Sequence, residues 1–226
     1  LFMLDGVRPD ALLAARCPNV AAVRERGSST LRAASVMPCL TLPCHTSIFH
    51  SVPPARHGVT SNTWTPMARP VPGLVEVIRQ AGRQAAFFYN WEPLRDLSRP
   101  GGLSFAFFAD GQTDPASDDL VADEAVRFLG RAQPDFLFVY FGTVDIAGHD
   151  HGWMSAPYLA QLERVDSALG RVLNALPSET AVLVQADHGG HGRSHGADIP
   201  EDMLIPWMVA GPGVRAGHTL EAPASL

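Results

Sequence analysis

The chain has 226 residues, enough for one α/β domain with a full core, because single cores stop growing only near ~250 to 300 residues. It is 46% hydrophobic and 18% charged, with 17 arginines, no lysine and a net charge of -6, which excludes a disordered chain and a basic nucleic-acid surface. Three cysteines without zinc-finger spacing fit a reducing, cytoplasmic compartment better than a disulfide framework, and no apolar run approaches the ~18 residues of a membrane span.

In chain order, LFMLD at 1–5 predicts a short buried strand ending in Asp5. PNVAAVRERG at 18–27 predicts a helix stopped by Gly27, and STLRAASV at 29–36 predicts the next strand. Thr41, ahead of Leu42 and Pro43, suits a helix N-cap with proline in the first turn. Such a helix end offers free N–H groups and a positive dipole end to an incoming phosphate. GLVEVIRQAG at 73–82 predicts a short helix, followed by the strand QAAFFYN at 84–90.

Residues 91–117, rich in Pro, Gly, Asp and Ser, read as a large surface loop. Between 116 and 132, Leu120, Val121, Ala125, Phe128 and Leu129 predict one helical face, ahead of the buried strand DFLFVYFG at 135–142. Leu159, Leu162, Val165, Leu169, Val172, Leu173 and Leu176 recur at steps of three and four, which predicts a long amphipathic helix before the strand TAVLVQA at 180–186. IPWMVAG at 205–211 closes as one more strand.

Nearly all-apolar strands alternating with helices predict an α/β fold, a mainly parallel central sheet with helices on both faces. No repeat or long linker divides the chain, so residues 1–226 are expected to form a single domain. Ligands of such sheets sit beyond the carboxyl ends of the strands, and three of those ends carry acid: Asp5, Asp145 and Asp187. His149 follows Asp145 by four residues across a glycine-containing loop, and His188, His191 and His195 follow Asp187 in VLVQADHGGHGRSHG at 182–196. Carboxylate oxygen with imidazole nitrogen is a zinc-type donor set that manganese also accepts. Spacing alone leaves open which of the last three histidines are ligands.

LDGVRPD, TLPCH, HGVTSN, DIAGHDHG, ADHGG and SHGADIPEDMLIPWMVAGPG, in that order over nearly the whole chain, resemble the alkaline phosphatase superfamily and look most like its nucleotide pyrophosphatase/phosphodiesterase branch. The resemblance implies two divalent metal ions, with zinc favoured by the three histidines of the sites and manganese the alternative. It implies that Asp5, Asp187 and His188 hold one ion, with Thr41 as nucleophile and fourth ligand. Asp145, His149 and His195 would hold the second, which leaves His191 outside the set. It further implies that Asn62, 21 residues after Thr41, contacts a phosphate oxygen, where GVTSN by itself gives only an asparagine in a turn. The sequence departs from the branch at Cys44, where asparagine is common.

The activity so implied is hydrolysis of a small phosphate ester, a phosphodiester or nucleotide pyrophosphate, through a phospho-threonine, with no nucleic-acid polymer as partner. A phosphomonoesterase, a phosphonate hydrolase and a phosphoglycerol or phosphoethanolamine transferase share the same core and are the alternatives. A sulfatase is opposed by the missing Cys/Ser-x-Pro-x-Arg motif, and a cofactor-independent phosphoglycerate mutase by threonine in place of serine at 41. From another class, an inactive metal-stabilised binding protein is opposed by the presence of the threonine and every ligand. No charged-then-apolar leader opens the chain, which begins without Met inside a strand and stops at EAPASL where relatives continue, so trimming at both ends is expected. His45 and His50 are expected to pack or cap on the nucleophile helix, His57, His151 and His218 to lie in loops, and Cys17 and Cys39 to be buried thiols.

Overall fold

The structure, a computed structural model, describes residues 1–221 and 224–226. Along the chain come β1 (Phe2–Leu4), α1 (Pro9–Ala14), α2 (Pro18–Arg26), β2 (Gly27–Ala34), α3 (Thr41–His50), α4 (Pro54–His57), α5 (Leu74–Gln80) and β3 (Ala85–Tyr89). A 3₁₀ helix (Glu92–Leu97), β4 (Phe105–Phe108), α6 (Ser117–Leu129), β5 (Phe136–Phe141), α7 (Thr143–His151) and α8 (Ala156–Ala175) follow. The last elements are β6 (Val182–Gln185), α9 (Pro200–Met203), β7 (Leu204–Ala210) and β8 (His218–Thr219).

The sheet runs β4-β3-β5-β1-β6-β7-β2-β8. Its pairs are parallel except where β7 meets β6 and β2. Alternation along the central strands separates two cores. Leu4, Phe88, Val139 and Phe141 face α6 and α8, while Met3, Phe87, Phe138 and Tyr140 face Leu42 and Phe49 of α3. Helix α8 buries Leu162, Val165, Leu169 and Val172, the stripe its periodicity predicts, and starts at Ser155, whose hydroxyl accepts from the Tyr158 amide.

β1 lies between β5 and β6, with Phe2 opposite Val139 on one side and Val184 on the other. Neighbouring strands are ~4.8 Å apart, so groups at these three carboxyl ends meet without any long reach. Asp5 follows β1, Asp187 follows β6, and Asp145 lies in the first turn of α7, just after β5.

Several local expectations are corrected. Leu40 is the N-cap of α3 and Thr41 its first helical residue, so the threonine hydroxyl caps nothing and is free for other contacts. DIAGHDHG is helix, not loop, despite Gly148. Residues 91–117 contain the 3₁₀ helix and edge strand β4, whose four residues alternate between half-buried and exposed, too short a run to read as periodic. Leu120 is 47% exposed, because α6 turns Val121, Ala122, Ala125 and Leu129 inward instead. His57 is buried at the end of α4, its Nε2 3.0 Å from Ser47 Oγ; His151 ends α7 and His218 starts β8. Cys17, Cys39 and Cys44 are buried free thiols.

Candidate active site

The structure brings the predicted ligands together at one edge of the sheet. Asp5, Thr41, Asn62, Asp145, His149 and His195 line a cavity of about 320 Å³, with Asp187 and His188 fully buried beneath it. His188 Nε2 lies 3.2 Å from Asp5 Oδ1, 3.4 Å from Asp187 Oδ2 and 3.3 Å from Thr41 Oγ1. Beside this group, Asp145 Oδ2 is 3.4 Å from His149 Nε2 and its Oδ1 is 3.7 Å from His195 Nε2. The rings of His188 and His195 stack at 3.8 Å between centroids, joining the two groups.

The histidines share one orientation. His149 Nδ1 donates to the Arg193 carbonyl, His188 Nδ1 to that of Gly189 and His195 Nδ1 to that of Cys39. A carbonyl only accepts, so each Nδ1 carries a hydrogen and each Nε2 is directed at carboxylates, the arrangement of a ligand imidazole fixed through its other nitrogen. Three carboxylate oxygens, Asp5 Oδ1, Asp145 Oδ1 and Asp187 Oδ2, are buried with no hydrogen-bond donor. Buried acceptors ordinarily find donors, and buried charge ordinarily finds a counter-charge.

The electrostatics agree. Burial, with the charges of Asp187 and Asp145, pushes Asp5 well above the carboxylate range, against a hydrogen bond from Tyr140. Burial pushes Asp187 up to about 7. Burial also works on Asp145, but the hydrogen bond to His149 and the charges of the three imidazoles outweigh it and hold this carboxyl low. The same bond raises His149 to about 9, whereas burial lowers His195 to about 4. Orphaned carboxylate oxygens facing imidazole Nε2 atoms fit divalent cations such as zinc or manganese. The geometric groupings are Asp5, Asp187, His188 and Asp145, His188, His195, so His188 and not His149 completes the second triad, while His149 touches it through Asp145 Oδ2 alone.

Thr41 opens α3, so its hydroxyl sits at the positive end of the helix. Asn62, which lines the cavity, accepts the Leu42 amide on Oδ1 at 3.0 Å and so keeps its side-chain NH₂ unspent by this bond. His45, on the same helix, donates from Nδ1 to the Thr41 carbonyl at 2.7 Å and packs edge-on against Tyr140. His50 contacts the Val71 carbonyl. His191 lies apart from the cavity, its Nδ1 2.8 Å from Asp202 Oδ1 on the far side of the loop.

Sequence reasoning missed the residues that hold this set from behind. Tyr140 reaches Asp5, and Trp153 donates from Nε1 to the Gly6 carbonyl while its ring meets His149 edge-on at 5.0 Å. A signal for Trp153 existed in ADHGG: a Cβ at Gly190 would come within 2.2 Å of the indole.

Comparison with known proteins follows this geometry. Human ectonucleotide pyrophosphatase/phosphodiesterase family member 1 is 23% identical over 215 residues, covering 84% of this chain and 23% of that protein. The chain thus spans less than a quarter of that curated relative. Murine ectonucleotide pyrophosphatase/phosphodiesterase 5, solved as an inactive variant in complex with AMP, superposes with a TM-score of 0.80 at 14% identity over 100% of this chain and 90% of its own. The phosphonate monoester hydrolase of Agrobacterium radiobacter gives 0.79 at 16% identity, over 99% of this chain and 70% of its own, the likeness in both cases being one of fold. Residues 1–198 match the sequence profile of the type I phosphodiesterase / nucleotide pyrophosphatase family, and the chain belongs to that family.

Proposed function

We propose that residues 1–226 form one catalytic unit that hydrolyses small phosphate diesters or nucleotide pyrophosphates through a phospho-threonine on Thr41. The observation that carries this reading is the trio of donorless carboxylate oxygens beside the Thr41 hydroxyl. Asp5, Asp187 and His188 would hold one divalent ion, with Thr41 beside them, and Asp145, His149 and His195 would hold the other. Bound there, zinc or manganese ions supply Lewis-acid stabilisation to the attacking and leaving oxygens of an in-line displacement.

The chain's own groups do the rest. Thr41 Oγ1 gives up its proton and bonds to phosphorus as the bond to the leaving oxygen breaks, that oxygen departing protonated; water then adds its hydroxyl to phosphorus as the Thr41 ester breaks, and its proton restores the threonine hydroxyl. The Asn62 amide donates to a non-bridging phosphate oxygen, and the N-terminus of α3 favours the charge that gathers there. Asp187 accepts from the Gly6 amide and Asp5 from Tyr140, which fixes both carboxylates before substrate arrives. No arginine lines the cavity among the described residues and the chain has no lysine, and His149 is spoken for as a ligand in this reading, so no guanidinium or ammonium awaits the second negative charge of a monoester dianion. This favours a singly charged diester, and the AMP held by the murine fold relative supports a nucleoside monophosphate as product.

Thr41→Ala tests the nucleophile. Turnover of aryl phosphate diesters should disappear while metal content by elemental analysis stays at two ions per chain. Near-wild-type turnover would make direct attack by water the better mechanism.

A further inference from the structure

Four elements meet behind α7 in a buried polar knot that the proposed mechanism does not use. Asp118 opens α6, Asn90 follows β3, Gly142 and Thr143 open α7, and Gln161 lies on α8. Asp118 is 2% exposed, and among the described residues no cation pairs with it. Its Oδ1 accepts from Asn90 Nδ2 at 2.6 Å and from the Gly142 amide at 3.1 Å, and its Oδ2 accepts from the Thr143 hydroxyl. Gln161 donates to that same hydroxyl, so the hydrogens run in one direction, from Gln161 through Thr143 to Asp118. Asn90 is fully committed too, donating to Ser117 Oγ at 2.9 Å as well as to Asp118, and accepting the Gly142 amide on Oδ1 at 2.9 Å.

Asn90 borders the cavity, yet all its polar atoms point into the knot, so its place there is structural to the site and not a contact for substrate. The knot satisfies the amide of the N-cap residue Gly142 and the hydroxyl of Thr143, the first residue of α7, donors that would otherwise turn to water. Two residues beyond Thr143 comes Asp145, and one helical turn later His149. Asp5, Asp187 and His188 have no hydrogen bond to the knot; they hang on the ends of β1 and β6.

We propose that Asp118, supported by Asn90 and Thr143, is a positioning residue that clamps the first turn of α7 and so sets Asp145 and His149 for the second ion. This rests on the reading of Asp145, His149 and His195 as one ion's ligands. Partners of ligands that act from behind typically tune metal affinity ~10- to 100-fold. A cap that served stability alone would lower the melting temperature and leave ion affinities in place.

The test is calorimetric titration of chelated protein with Zn²⁺ alone, on wild type, Asp118→Asn, Thr143→Val, Thr143→Ser and His195→Ala, with thermal unfolding to establish that each variant folds. His195→Ala identifies the second ion by deleting it. Asp118→Asn keeps the shape but turns an amide toward the donors of Asn90 or Thr143, and Thr143→Val removes one link only, so it carries the test if the first variant does not fold. Both should weaken the second ion ~10-fold or more and leave the first unchanged, and Thr143→Ser should restore wild-type binding. Two ions bound as in wild type by the folded variants, or equal weakening of both ions, would overturn the assignment. Fewer than two ions in wild type itself would defeat the two-ion reading first, and this inference with it.

Discussion

Gly6 shows how little room the site allows a single residue. Its φ of +68° is a left-handed conformation that side chains resist, and a Cβ there would lie 2.9 Å from Asp145 Oδ1 and 3.0 Å from its Cα. Its amide donates to Asp187, and its carbonyl accepts from both Trp153 and Tyr158. Gly6→Ala therefore strains the backbone by ~1 to 3 kcal/mol and pushes Asp145 out of place. The expected outcome is a folded protein of lower melting temperature that retains one zinc ion after dialysis; two ions retained with full turnover would contradict this. His191 and His195 form a second residue-scale contrast. His191 is paired with Asp202 outside the cavity, so His191→Ala should keep both ions, whereas His195→Ala should keep one. The reverse pattern of metal stoichiometry would exchange their roles. Activity alone is a poor judge, since a tenfold loss is only about 1.4 kcal/mol.

At the scale of elements, the ligands proposed for the second ion come from two segments that need separate fastening. Helix α7 brings Asp145 and His149, and the stretch between β6 and α9 brings His195. That stretch is held by fully buried Asp202, which accepts the Ala197 amide and His191 Nδ1, both at 2.8 Å. Asp202→Ala leaves the Ala197 donor without a partner, a cost of ~1 to 3 kcal/mol, and frees the loop. Limited proteolysis should then cut near Arg193 faster than in wild type, and an unchanged cleavage rate would mean that Gly189 and Gly190, bonded to the carbonyls of Asp202 and Glu201, hold the loop without the carboxylate. The three acids at strand ends were legible in the sequence because each follows a run of apolar residues that only a doubly covered strand explains. The fastenings were not. Asn90, Asp118 and Asp202 sit in ordinary turn and helix-start contexts, and only the strand order brings Asn90 beside Thr143, 53 residues away in sequence. Gly148 hid the helix for a related reason: its low helical propensity is overridden by packing on Trp153, a tertiary contact.

For the whole molecule, the sheet order concentrates acidic groups at the buried ends of its central strands. Placing β1 between β5 and β6 sets Asp5 between Asp145 and Asp187, and burial, aided by neighbouring charge, raises Asp5 and lifts Asp187 to about 7, so ionising these two carboxyls without cations costs folding free energy. Ion binding to the folded state alone adds ~4 kcal/mol at a free concentration a thousand times the dissociation constant. In a chain of this size each kcal/mol moves the melting temperature by ~2 to 4 °C, so chelation should lower it by ~8 °C or more, with recovery on adding Zn²⁺ or Mn²⁺. A sharper signature comes from Asp187→Asn. The amide keeps the side chain's shape and its acceptor for the Gly6 amide, but removes a carboxyl that burial pushes up to about 7. In chelator at pH 8, above that value, wild type carries the cost of ionising buried Asp187 and the variant does not, so the variant should melt above chelated wild type; with Zn²⁺ it should melt below loaded wild type, because a proposed ligand is gone. The order of the two melting curves therefore inverts between the two conditions. A variant less stable than wild type in both would show that Asp187 serves packing before it serves an ion, and would remove the electrostatic argument for the site.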